Sequence, residues 1–577
     1  KKGFEKEITI MPDSVIIVSH SRKSKRILVS AKTADGKVYP IKYKVKDENS
    51  IRITNKVDSA MKVKISVIAK DPLDDQPWYK ALQYTSRVLM LVRSVGITYH
   101  NKQAMAIAGY MPMVGDAFGQ TRNDGFLAPG LRFAFGLEGE DFIEKARERN
   151  WLLMNDSVAT PATFSNSDDL QLKATLEPWK NFKIDLTASR SQTKARSIQY
   201  MYEGSPTTQT GTFTMTTISI GTAFESSGNA NNGYYNRSFE RFCESLPEFQ
   251  SRVQSQYTHS VYPPGTVVAG EPYNPEYGTV NKYSSDVLIP AFLNTYTSMK
   301  GGSLSIFPAL TRLLPNWTLK FSGLSKLPWI RDHFKSVNIN HGYKSIYAVG
   351  SYSSFSTFHE YMNGLGFVND ATTGMPVPNS MYNISSVSLN EAFSPLIGID
   401  VTLQNNMTLK AEYKTTRVLT LSTTSVQINE ATSRDWVIGW GYKWQNFRLF
   451  GRKNHRAVKS NKKNEAEDGD NKNNANQNNN KNSNNAKGQI NHDLNLRCDF
   501  SYRQQASISR DIASRTSSAS SGNTAFKLSF TADYTLSKLI SLGFYYNMQK
   551  NIPLLSSSSY PTTTQDFGLS LKFSLKR

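Results

Sequence analysis

Nothing in this 577-residue chain is spaced for covalent chemistry. The sequence holds no HExxH helix motif, no GxSxG elbow, no Walker-type phosphate loop and no paired CxxC. Asp468-Gly469-Asp470 lacks the ligand spacing of a calcium loop. The eight His are scattered, and His341 shares a strand face with Ile339 and Tyr343, which favours a structural or interfacial role over metal binding. Cys243 and Cys498 are too few for a disulfide scaffold. Cys498 alternates with Leu494, Leu496 and Phe500, as a small hydrophobe would. The expectation is a protein that is not an enzyme, with no catalytic residues, no metal and no cofactor. The chemistry left is charge in alternation with apolar residues. Asp400, Lys410, Glu412, Lys414, Asp533 and Lys572 fall on the wet faces of apolar strands, where they could line a water-filled lumen. Their mixed signs suit a conduit of weak ion selectivity, and equally suit plain solvation of a wall.

The elements that must carry these residues are β-strands. Residues 567–575 alternate Phe567, Leu569, Leu571, Phe573 and Leu575 with Gly568, Ser570, Lys572 and Ser574. Successive strand side chains point to opposite faces, so one face is greasy and the other wet. About ten such residues cross a bilayer at a tilt. The pattern recurs upstream, with Phe526, Leu528 and Phe530 joining Phe567, Leu569, Leu571 and Phe573 as the lipid-facing candidates. Leu170 to Leu176 and Phe182 to Ala188 flank a turn at 177–181. Ile397 to Leu403 and Met407 to Tyr413 flank Asn405-Asn406, a tight-hairpin signal because Asn tolerates positive φ.

The turns come in two kinds. Those at 177–181, 405–406 and 537–539 are short, and those at 351–394, 504–523 and 551–564 are long and rich in Ser, Thr, Asn and Tyr. Outer-membrane barrels pair short periplasmic turns with long external loops. Strand parity counted back from the chain end puts all three short turns on the periplasmic side. One crossing is missing between the strands near 211–223 and 316–324. Residues 225–314 therefore pass through the lumen, hide an irregular strand, or contradict the barrel reading. Helices are expected at 284–296 and 139–151, the latter with Phe142, Ile143, Ala146 and Trp151 as its apolar set. Helices within barrels commonly plug or narrow the lumen.

Composition bounds the alternatives. Hydrophobic residues make up 38% of the chain and mean hydropathy is -0.46. No apolar run is long enough for a membrane helix. A barrel escapes that test, because only alternate residues face lipid. The net charge of +21 is spread through the strands, which argues against nucleic-acid binding. The fold class expected is all-β: an antiparallel transmembrane β-barrel portion of about 13 or more strands with short helical lumen or plug-like insertions. Residues 1–77 form a strand-rich part, either barrel strands (the favoured reading) or a small β-module. Residues 78–577 form the barrel portion, with 109–167 and 225–314 as insertions and 457–488 as a disordered Asn-rich loop. The chain begins Lys1-Lys2-Gly3 with no signal peptide, so a mature chain or the C-terminal fragment of a longer one is expected.

Several blocks resemble a known family. They are Ala128-Pro129-Gly130-Leu131-Arg132-Phe133-Ala134-Phe135-Gly136, Asp169 to Arg190, Ser205-Pro206-Thr207-Thr208-Gln209, Asp286-Val287-Leu288-Ile289-Pro290, Leu314-Pro315-Asn316-Trp317 and Ser529 to Lys538. Together they are similar to the C-terminal part of the SprA/Sov family. These are giant outer-membrane barrels of Bacteroidota, several times longer than this chain, that form the translocon of the type IX secretion system and support gliding in some members. The resemblance implies a bacterial outer-membrane location and no catalytic residues. It implies as partners secreted cargo proteins with a C-terminal signal, a PorV-like outer-membrane shuttle barrel at a lateral opening, a plug protein, periplasmic and lipoprotein accessory subunits, and the lipid bilayer. The alternatives left open are a self-contained porin or transporter barrel for small solutes, and a β-rich extracellular adhesin.

Overall fold

The computed structural model describes residues 3–12, 15–21, 23–33, 36–54, 60–69, 85, 91–115, 118–139, 141–154, 160–201, 207–299, 301–362, 364–445, 447, 493–537, 539–555 and 559–574. The turn signal at 71–77 and the Asn-rich stretch 457–488 lie outside the described residues. Two compact units divide the chain, Lys1–Val92 and Arg93–Arg577.

The first unit is a small β-module. Strands β1 (Phe4–Ile10), β2 (Ile16–Ser19), β3 (Ile27–Thr33), β4 (Val38–Tyr39), β5 (Tyr43–Val45), β6 (Ser50–Ile53) and β7 (Met61–Ala69) make two sheets, ordered β1-β7-β3-β4 and β2-β6-β5. Alternate residues enter one core, among them Val29 and Ala31 of β3, Ile51 and Ile53 of β6, and Val63, Ile65 and Val67 of β7. Among the described residues none of these strands pairs with the large sheet. The favoured reading of barrel strands is therefore corrected. Strands of two to nine residues with their apolar faces turned on each other are too short and too inward-facing for a membrane wall.

The second unit is built on one antiparallel sheet of fourteen strand segments. Its main members are β8 (Val92–Ala106), β11 (Ala162–Trp179), β12 (Phe182–Ile198), β13 (Thr208–Thr216), β14 (Asn316–Phe321), β15 (Phe334–Ser354), β20 (Ser386–Leu403), β21 (Met407–Ser422), β22 (Gln427–Trp444), β23 (Leu494–Asp511), β24 (Thr516–Thr535), β25 (Ile540–Pro553) and β26 (Thr562–Phe573). The short β9 (Thr121–Asn123) and β10 (Phe126–Ala128) form a hairpin of their own, and β16 (Phe358–Met362), β17 (Leu365–Asn369) and β18 (Pro376–Ser380) a small sheet. The end of the sheet at the short turns 177–181 and 405–406 is its inner end, and the end remote from them its outer end. The short β19 (Tyr382–Ile384) pairs the outer end of β15 and leads into β20. No helix among the described residues is long and apolar enough to cross a membrane. The fold class is the all-β antiparallel one that the alternation predicts.

The missing crossing resolves into a split strand. β13 pairs the outer halves of β12 and β15, from Arg190 to Ser197 and from Ile346 to Ser353. β14 pairs the inner halves of the same two strands, from Phe182 to Thr187 and from Ile339 to Tyr343. Together they occupy one position in the wall, so the fourteen segments fill twelve positions. The chain leaves the sheet after Thr216 and re-enters at Asn316. The excursion carries α3 (Arg237–Tyr257) and α4 (Ser285–Tyr296). The shorter helices are α1 (Leu131–Ala134), α2 (Phe142–Glu148) and α5 (Pro328–Arg331).

Turn chemistry matches the sequence at the inner end. Asn181 and Asn406 both take positive φ, 72° and 63°, and Met407 N–H donates to the Asn405 side chain. At the outer end, 504–523 is not a loop. β23 and β24 run to Asp511 and from Thr516, joined by a turn in which Arg515 has φ 54°. Likewise 162–167, expected within an insertion, is the start of β11. Strands of 18 to 21 residues exceed the roughly ten that a bilayer needs. Their polar outer ends read as loops because they stand clear of lipid.

Candidate functional site: the two faces of the wall

The register between strands sorts every wall residue onto one of two faces. Along β21, which pairs β22 without interruption, odd residues share one face and even residues the other. The pairs Ile399↔Ala411, Ala411↔Ile438, Ile438↔Phe500, Phe500↔Leu528 and Leu528↔Met548 carry that apolar face across the sheet. On β24 it holds Phe526, Leu528 and Phe530. On β26 it holds Phe567, Leu569, Leu571 and Phe573, facing Tyr546, Phe544, Leu542 and Ile540. Phe567 and Leu569 are 74% and 75% exposed. A row of large apolar residues this exposed has no cover among the described residues and fits hydrocarbon.

Aromatic rings bound the band. Trp317 stacks on Tyr343 at 4.5 Å, Tyr413 on Trp436 at 4.4 Å, and Tyr502 meets Phe526 at 4.9 Å. Near the inner turns, Trp179 stacks on Phe182 and Trp444 meets Tyr442. Trp436 and Trp444, eight residues apart on β22, span about 26 Å along a strand and roughly 20 Å at the usual tilt, close to the apolar height of such walls. His341 belongs here. Its Nε2 accepts from Trp317 Nε1 at 3.1 Å and its Nδ1 lies 2.7 Å from the Leu396 carbonyl. Cys498 sits on the same face between Trp440 and Phe530, and both cysteines are free thiols.

The opposite face carries all six lumen candidates. Asp400 and Lys410 are directly paired across β20 and β21. Lys410 and Lys414 both bond Glu412, at 2.9 Å each, and Asn340 donates to Asp400 at 2.9 Å. Asp533 pairs Asn495 and Gly543, and Lys572 pairs Ser541. The structure thus gathers Asp400, Lys410, Glu412 and Lys414 into one cluster and leaves Asp533 and Lys572 apart on later strands. Arg497–Asp499 and Arg503–Asp435 extend the same polar face. These pairs are partly exposed, so each contributes less than about 1 kcal/mol. Among the described residues no group of three or more His, Cys, Asp or Glu could hold a metal ion.

The helical insertion sits on the apolar face, not on the polar face expected of a lumen plug. Leu419 and Leu421 of β21, Ile428 of β22, and Val387 and Leu389 of β20 share their strand faces with Leu409, Trp436 and Ile399, yet they are buried in one core with Phe239, Phe242, Leu246, Val287 and Phe292 of α3 and α4. The smaller insertion behaves alike, packing Phe142, Ile143 and Trp151 against Ala162 of β11. Alternation identifies a face, but it does not say what covers that face beyond the membrane.

Between core and band lie four charges at apolar positions, which the sequence reading missed. Glu391 accepts from Arg417 Nη2 at 2.8 Å, Tyr343 Oη at 2.8 Å and Ser219 Oγ at 2.6 Å. Arg417 also donates to the Thr222 carbonyl and hydroxyl, at 2.6 and 2.8 Å. One strand pair further, Glu430 holds Arg510, which donates on to the Tyr234 and Ser227 carbonyls at 2.6 and 3.1 Å. All four are buried, and they fasten residues 219–234 to the wall. Charges interrupting an apolar alternation on adjacent strands were the available signal. α3 was missed as well. Phe239, Phe242, Leu246, Phe249 and Val253 have helical spacing and Asn236 caps the Phe239 N–H, but Pro247 breaks the reading of a continuous helix.

No family model matches the chain, and no curated protein matches it. Among solved structures, the chain is similar to OmpT, an in-vitro folded outer membrane protein of Vibrio cholerae in its trimer form. The identity is 9% and the TM-score 0.17, over 71% of this chain and 92% of that one.

Proposed function

We propose that this chain forms part of the wall of a protein-conducting translocon in a bacterial outer membrane, of the SprA/Sov type IX kind, passing folded cargo to the cell surface without chemistry on it. The observation that carries the reading is the sheet's two open edges. Twelve strand positions run from β8 to β26, and each of these outer strands pairs on one side only among the described residues. Hydrocarbon cannot satisfy a row of unpaired N–H and C=O groups. Further strands flanking these edges would satisfy them in the membrane and would make the wall wider than its twelve positions. The continuous polar face of mixed charge suits a water-filled passage with little preference for ion sign, and the family resemblance supplies the cargo class and the PorV-like and plug partners.

Loss of the gene is expected to strand C-terminally signalled cargo in the periplasm. Normal surface display of that cargo would overturn the reading. If this chain refolded alone gave stable small-solute conductance in planar bilayers, the self-contained porin would stand instead.

A further inference from the structure

We propose that the underside of the large helical insertion is a membrane foot, with Ile220 and Phe224 seated in the outer leaflet as a continuation of the wall's aromatic girdle. The bilayer is the occupant because the surface is continuous with a lipid-facing one. A ladder of rings leads from wall to insertion. Trp317 stacks on Tyr343, Tyr343 meets Phe393 at 4.8 Å, and Phe393 meets Phe224 at 5.2 Å. Phe393 is buried, whereas Ile397, the next apolar-face residue toward the inner end of β20, is 56% exposed. The boundary between protein cover and lipid therefore runs beside Phe393, and Phe224 lies on it, 62% exposed. Aromatic side chains settle at this depth, with the ring in the acyl boundary.

The foot is held rigidly. Ile220 and Phe224 bracket Thr222, whose carbonyl and hydroxyl are both gripped by Arg417, and Ser219 is fixed by Glu391 and Tyr343. Arg434, exposed one apolar-face position outward of Trp436, stands at the level where a long cationic side chain reaches headgroups. Single exposed hydrophobes are ordinary on proteins. What marks these two is Phe224's place at the edge of the band, with Ile220 beside it in a turn fastened by a buried ion pair.

The test uses the full-length protein reconstituted in phospholipid vesicles, with Cys243→Ala and Cys498→Ala removing the native thiols. Nitroxide labels go on Ile220→Cys, Phe224→Cys, Ile399→Cys in the band, and Val267→Cys, an exposed site whose near neighbour Gly265 approaches His359 of the small outer sheet. Labels at 220, 224 and 399 are expected to collide more with oxygen than with a water-soluble nickel chelate, and the label at 267 the reverse. A nickel preference at 220 and 224, with 399 still favouring oxygen, overturns the foot. A nickel preference at 399 as well removes the bilayer from this face and the foot with it. Phe224→Trp gives an independent reading. Added fluorescence quenched by lipids brominated near the headgroup supports the foot, and unquenched added fluorescence overturns it.

Discussion

Arg510 sets both Nε and Nη2 on one carboxylate oxygen of Glu430, at 2.9 and 2.6 Å, and both side chains are buried between the wall and the helical insertion. A pair desolvated this fully offers little net stability over an apolar substitute, but removing one partner strands a buried charge at a cost of about 3–5 kcal/mol. Glu430→Gln keeps the shape and removes the charge. The cost falls on the docking of residues 219–257, because Arg510 also holds the Tyr234 and Ser227 carbonyls. Brief trypsin treatment of membranes should cut the variant at Arg237 or Arg241 while the wall keeps its heat-modifiable migration. An insertion as resistant as the parent's would show that the pair does not fasten it.

The last strand offers a paired test of the two faces. Leu569 lies on the apolar face and Ser570 on the polar one. Leu569→Arg places a guanidinium in hydrocarbon at a cost of up to about 2–4 kcal/mol, whereas Ser570→Arg meets water. Urea unfolding from lipid vesicles should shift strongly for the first and by less than about 1 kcal/mol for the second. Equal shifts would mean that β26 has no lipid face.

The strands were legible because alternation is a property of the sequence alone. Every lipid-facing candidate shares one face, and every lumen candidate the other, since register preserves parity from strand to strand. Three things were not legible. β13 and β14 read as two descending strands with a crossing lost between them, because nothing in Thr208–Thr216 or Asn316–Phe321 says that both pair β12 and β15. The helices read as lumen plugs because the rows Leu409–Tyr413 and Arg417–Leu421 look alike in sequence, although lipid meets the first and α3 and α4 cover the second. Glu391 and Glu430 drew no reading from the sequence, because their partners Arg417 and Arg510 lie 26 and 80 residues away.

On the polar face, Glu412 holds two lysines at once. Glu412→Gln would release both Lys410 and Lys414 into the aqueous space without unfolding the wall, since partly exposed pairs contribute less than about 1 kcal/mol. If this face lines a passage, the freed positive charge should move the reversal potential in a salt gradient toward the chloride value. An unchanged reversal potential at unchanged conductance would place the cluster outside the ion path.

Asp286 gives the pH dependence of the insertion. It lies in the first turn of α4, half-buried, with Oδ1 lacking a hydrogen-bond partner among the described residues, and burial holds its carboxyl above the usual carboxylate value. The unfolded chain releases this proton near pH 3.9. Between that pH and the raised folded value the folded state binds more protons, so the group's contribution is fully present below about pH 3.9 and stability declines as pH rises through the folded value. Asp286→Asn stays neutral throughout. It should therefore raise the melting temperature of the full-length protein at pH 7.5, with the gain shrinking toward pH 4. The dipole of α4 opposes this, because it favours a negative charge in the first turn. A variant that melts lower than the parent at pH 7.5 would show the dipole outweighing burial, with Asp286 ionised in the folded protein.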